Sequence, residues 1–81
     1  MSRHAMMAGG IQPVIASDSV DLPGGTCIGL LCGTGGLATI VDAGGITRTG
    51  VPLQPGYNPI ACKRVFATGL LALNIWALYR A

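Results

Sequence analysis

Few residues in this 81-residue chain are placed to do covalent chemistry. Of the three cysteines, Cys27, Cys32 and Cys62, only Cys62 has a positive neighbour, Lys63, and a cation beside a thiol is what turns it into a nucleophile. In an extended segment, however, adjacent side chains point to opposite faces, so Lys63 does not serve Cys62. Gly33-Thr34-Gly35-Gly36-Leu37-Ala38 has the spacing G-x-G-x-x-A, in which glycines let a backbone close on a pyrophosphate held at a helix N-terminus. The residues that follow, Thr39-Ile40-Val41-Asp42-Ala43-Gly44-Gly45, are too β-branched and too soon interrupted for that helix. A glycine-rich hairpin turn is the expectation there. Acid–base catalysis lacks its parts: there is no glutamate, the one histidine is His4, and Asp18, Asp21 and Asp42 lie among serine, proline and glycine, where they act most simply as turn formers. Three cysteines do not close a disulfide set, none sits in a C-x-x-C pair, and a single histidine adds no zinc site. They read as buried small apolar residues of a chain kept in a reducing compartment. The expectation is a protein that is no enzyme, with no catalytic residue, cofactor or metal.

Composition points to assembly instead. Charged residues make up 10% of the chain and hydrophobic ones 51%, with 13 glycines; ordinary soluble domains carry about 25% charged residues. So few charges do not cover a solvated surface, and apolar groups must face a neighbouring subunit or lipid. A domain this small buries only about 60% of its unfolded surface and is marginal alone. With no staple evident, the missing stability is expected from other copies of the same chain. The net charge of +2 is too small and too scattered for nucleic acid.

The elements that position these residues are short. Residues 1–10 form the expected flexible N-terminal arm, and residues 11–81 a single β domain. A secretory leader is disfavoured in residues 1–13, where Gly9, Gly10, Gln12 and Pro13 interrupt the apolar run. From Ile11 onward, apolar runs alternate with turn residues every 8 to 12 positions, the signature of an all-β chain. The runs are Thr26 to Cys32, Leu37 to Val41, Ile46 to Leu53, Ile60 to Ala67 and Leu70 to Tyr79. Asp42-Ala43-Gly44-Gly45 and Pro55-Gly56-Tyr57-Asn58-Pro59 are expected turns, and Pro52 marks an edge or an exit. This gives a small antiparallel β-barrel or sandwich of about five to six strands in a meander. Leu70 to Arg80 is apolar on both faces; Ile75, Trp76 and Tyr79 favour strand over helix. The 15 residues from Val65 to Tyr79, broken by Thr68-Gly69 and Asn74, fall short of the ~20 that cross a bilayer. No membrane is expected, and a small membrane-active protein is a minor alternative.

Alternation along Ile60, Cys62 and Phe66 puts Arg64 on the same face. A guanidinium drawn inward must be paired or must bridge to another subunit, and Asp18, Asp21 and Asp42 are the available carboxylates.

Over about residues 11 to 80 the chain resembles the small spike-base proteins on the heads of tailed phages and gene transfer agents. Ser17-Asp18-Ser19-Val20-Asp21-Leu22-Pro23 is similar to that family's S-D-x-x-D-L opening. Pro55-Gly56 and Pro59-Ile60 lead into Lys63-Arg64-Val65-Phe66-Ala67-Thr68-Gly69, which resembles its R-V-x-A-T-G stretch. Ile75-Trp76-Ala77-Leu78-Tyr79 is like its apolar last strand, while Leu70-Leu71 stands where the family has two threonines. The resemblance implies a virion structural protein, made in the host cytoplasm and carried on the capsid surface. It would oligomerise, with a pentamer favoured, and anchor a head spike or fibre, its partners being the major capsid protein and that spike or fibre. A capsid cement or decoration protein, or a tail adaptor, would use the same features. Arg64, Phe66, Trp76, Leu78 and Tyr79 are the residues expected at the subunit interface. Arg64→Ala should therefore lower assembly, read as oligomer mass by light scattering, more than Arg48→Ala does; equal effects would remove Arg64 from the interface.

Overall fold

The apolar runs become seven strands in the computed structural model, which describes residues 8–80. They are β1 (Ala8–Pro13), β2 (Gly29–Thr34), β3 (Gly36–Asp42), β4 (Thr47–Leu53), β5 (Gly56–Asn58), β6 (Cys62–Val65) and β7 (Leu73–Arg80). No helix occurs among the described residues. One sheet has the order β1-β7-β2-β5 and the other β4-β3-β6, with every pairing antiparallel.

Alternation along the strands makes the core. Leu30 and Cys32 of β2, with Ile75 and Ala77 of β7, face inward from the first sheet; Ala38, Ile40, Leu53, Cys62 and Val65 face them from the second. Leu22, Cys27 and Ala72 fill the rim of the same cluster. The all-β expectation holds, and the architecture is a sandwich of two sheets packed face to face.

Three features differ from the expectation. The strands number seven because β5 forms inside the Pro55–Pro59 turn and β1 is a strand of its own. Buried Asn58 holds β5: its Oδ1 accepts from the Gln54 N–H at 2.8 Å, and its Nδ2 donates to the carbonyls of Gln54 and Gly56 at 3.0 and 3.1 Å. β1 begins at Ala8, inside the stretch read as an arm, and residues 1–7 lie outside the described residues. The strand order is not a meander, because only β3 and β4 are joined as neighbours by a tight turn, closed by the Gly45 N–H on the Asp42 carbonyl at 2.9 Å.

Residues 33–36 are likewise not a hairpin turn, since β2 and β3 belong to different sheets. The chain crosses between the layers at Gly35. A Cβ on Gly35 would lie 2.6 Å from the Leu53 carbonyl oxygen, and one on Gly36 would lie 2.7 Å from the Leu71 carbonyl carbon. The glycines are there because two backbones pass too close for any side chain.

The connector 14–28 covers the outer edge of β6. Its Ser17, Leu22 and Cys27 N–H groups donate to the carbonyls of Val65, Lys63 and Cys62 at 2.9, 2.8 and 2.9 Å. β7 confirms the strand reading of the last run, with one twist: Asn74 has φ 54°, and the inward-facing position shifts from Ala72 before it to Ile75 after it.

Gly36→Ala is expected to destabilise the fold by about 1–3 kcal/mol through overpacking against the Leu71 backbone. Gly44→Ala, in the exposed β3–β4 turn, should lose less than half as much; urea titration of both variants measures the difference.

Candidate functional site

The outer faces of the two sheets are chemically unlike each other. On the four-stranded sheet, the residues opposite to core-facing Ile75 and Ala77 are Asn74, Trp76 and Leu78. The register aligns Pro13, Trp76, Leu31 and Tyr57 in one row across all four strands. The next row is Ile11, Leu78 and Gly29. Gly29 has no side chain, and the Tyr57 ring lies over it, 2.7 Å from where a Cβ would be. Ile11, Leu31 and Tyr57 remain 53%, 37% and 50% exposed, so this face is an apolar surface open on the single chain. Arg80, at the end of β7, is the only ionised residue in β1, β2, β5 or β7.

The remaining charges among the described residues lie on the three-stranded sheet, its hairpin or the connector. Arg64 Nε donates to Asp21 Oδ1 at 2.8 Å, which identifies the carboxylate partner among the three candidates. Its guanidinium carbon stands 5.8 Å from the centre of the Phe66 ring. β6 carries a bulge, in which Asp42 pairs with Cys62 while the adjacent Val41 pairs with Arg64. The bulge separates the two sides: Cys62 and Val65 are buried in the core, and Arg64 lies outward across from Val41. The extra residue of the bulge breaks the alternation and puts Arg64 on the face away from Cys62, correcting the expectation that they share one.

The five residues expected at an interface thus do not form one patch. Trp76 and Leu78 lie on the outer face of the four-stranded sheet, and Arg64 and Phe66 on that of the three-stranded sheet. Tyr79 packs against the core cluster, with its hydroxyl donating to the Gly25 carbonyl at 3.3 Å. Sequence reasoning missed Ile11, Leu31 and Tyr57, which become neighbours of Trp76 and Leu78 only through pairings between distant strands.

The chain is similar to a chain in the capsid of a native GTA (gene transfer agent) particle computed with C5 symmetry, at 29% identity and a TM-score of 0.77 over 96% of this chain and 90% of that one. That likeness supports a virion structural protein. No family model and no curated protein matches the chain. The resemblance to phage-like, capsid-associated proteins is supported at that level.

In such a subunit the aspartates act as fasteners. Asp18 accepts from the Thr68 hydroxyl and from the Thr68 N–H, the latter at 2.9 Å, joining the connector to the loop before β7. Those bonds hold its carboxyl below the usual carboxylate value. Asp42 Oδ1 accepts from the N–H groups of Ile46 and Gly44 at 3.0 and 2.9 Å, and Oδ2 from Arg48 Nε at 3.0 Å. The Ile46 bond, followed by Arg48, lowers its carboxyl too. A carboxyl lowered in the folded state stabilises the fold above its unfolded value, about 3.9, and that contribution is lost as pH falls through the folded value. The thermal midpoint should drop below about pH 4, and the double change Asp18→Asn with Asp42→Asn should flatten that drop. Superimposable pH profiles of melting temperature would rule these two carboxylates out as its source.

Proposed function

We propose that the chain is a non-enzymatic capsid subunit that closes into a ring with copies of itself and serves as the base of a head spike or fibre. The observation that carries this reading is the aromatic-bearing outer face of the four-stranded sheet, whose one ionised residue is Arg80 at the end of β7. Interface centres are depleted in charge and enriched in aromatic residues and arginine; the four-stranded face supplies the charge-poor aromatic surface, and the three-stranded side supplies Arg64 against Phe66. A closed ring needs two different, complementary patches on each subunit, because each copy meets its neighbours head to tail. Trp76 and Leu78, with Leu31 and Tyr57, form one such patch; Arg64 stacked on Phe66 forms the other, on the opposite side of the sandwich. Tyr79 serves the inner side of the last strand and steadies the connector at Gly25.

A ring of five is favoured by the fivefold symmetry with which the neighbour's particle was computed and by the resemblance to spike-base proteins. The major capsid protein is then one partner and a spike or fibre protein the other, with the subunit on the capsid surface. A cement role needs the same apolar face against a capsomer and differs in the order of the oligomer.

Light scattering on a sizing column without detergent tests the proposal. A discrete mass of five subunits is expected. Leu31→Asp, which puts a charge in the middle of the Trp76–Tyr57 row, should shift the mass toward the monomer while leaving the melting temperature of the subunit within a few degrees. A wild-type chain that stays monomeric at tens of micromolar would overturn the ring, and a trimer would transfer the role to a cement protein.

A further inference from the structure

Cys27 and Cys62 are separated by 35 positions in the chain, yet their Sγ atoms lie 3.5 Å apart in the core. The backbone fixes this approach: the Cys27 N–H donates to the Cys62 carbonyl at 2.9 Å, so the two residues face each other across the junction between the connector and β6. A disulfide has its sulfurs about 2.05 Å apart, so about 1.5 Å of movement, within reach of side-chain rotation, would join them. Cys32 is engaged elsewhere, accepting from Asn58 Nδ2 at 3.6 Å on β2. Neither the assembly surfaces nor the fasteners use the pair.

We propose that Cys27 and Cys62 form a two-thiol site that a low-molecular-weight disulfide of the glutathione class oxidises to an internal cross-link. The pair is asymmetric. The hydrogen bond with Cys62 pulls the Cys27 thiol below its ordinary value, while that bond and burial push the Cys62 thiol up. Cys27 is the sulfur placed to attack, because it sits in the segment better suited to open: Pro23, Gly24, Gly25 and Thr26 just before it are all exposed, and a local opening of that loop admits the oxidant. The Cys27 thiolate attacks one sulfur of the small disulfide, forming a mixed disulfide and releasing one small thiolate. Cys62 then loses its proton to solvent and attacks Cys27 Sγ, expelling the second small thiolate. Two protein thiols are oxidised and one disulfide is reduced, with two electrons transferred.

The cross-link would tie the connector to β6 and supply the staple that a core this small lacks. A chain passing from a reducing to an oxidising medium would gain it without rearranging its strands. This is a property of the single chain and does not depend on the ring.

The test is incubation of the reduced protein in glutathione buffers of stepped redox ratio, followed by thiol titration in denaturant, intact mass and tryptic mapping. The thiol count is expected to fall from three to one with the loss of two hydrogen masses, and the melting temperature to rise by about 10 °C or more. In Cys32→Ser, the count should fall from two to none, with a bridge joining the tryptic peptides 4–48 and 49–63. Three thiols persisting under full oxidation, or stable glutathione adducts with no internal bridge, would overturn the proposal. So would a two-thiol loss retained in Cys62→Ser.

Discussion

The crossing at Gly35 and Gly36 sets the terms for the rest of the molecule. The chain there leaves one layer for the other while pressed between the Leu53 carbonyl and the backbone at Leu71. That contact fixes the end of β4 and the approach to β7 relative to β2 and β3, and so sets the spacing of the layers. Leu30 and Cys32 then meet Ala38 and Ile40 across a single core. A methyl group at either glycine would push apart two segments that have no flexible side chain to yield.

Once the layers are fixed, the sandwich has two outer faces, and the few charges fall almost entirely on one side of it. Asp21 with Arg64 ties the connector to β6, Asp42 with Arg48 ties the two strands of the hairpin, and Asp18 with Thr68 ties the connector to the loop before β7. They engage every aspartate of the three-stranded sheet and its connector. The four-stranded sheet has no carboxylate in its strands, and its Leu31 and Tyr57 stand open beside Trp76. Exposed surface pairs of this kind contribute little to stability. The Asp21–Arg64 pair adds to the backbone bonds that hold the connector along β6, whose edge would otherwise be open to strand addition.

How much of this the sequence discloses depends on how local each interaction is. The strands are legible because period-2 alternation and turn residues are local: Ile75, Trp76 and Tyr79 mark β7, and Asp42 to Gly45 mark the one tight hairpin. The pairing order is not, because β7 joins β1 and β2 over separations of 39 to 72 positions, and no local pattern encodes that choice. Glycines at 33 to 36 fit a turn and a close crossing equally well, so the residue type alone gives no topology. The partner of Arg64 was legible as one of three carboxylates, since an inward guanidinium needs one and the chain offers so few. The bulge in β6 that turns Arg64 away from Cys62 was not, because it depends on register against β3. The apolar row through Leu31 and Tyr57 and the approach of Cys27 to Cys62 likewise exist only after distant strands have paired.

The first and last strands are neighbours, and Ala8 pairs with Arg80. Whatever precedes β1 and whatever follows β7 must therefore leave the sandwich from the same corner. A tether attached at either end would start from that corner, and in a symmetric ring every copy would hold its two tethers at one level along the axis, side by side, as a consequence of one antiparallel pairing.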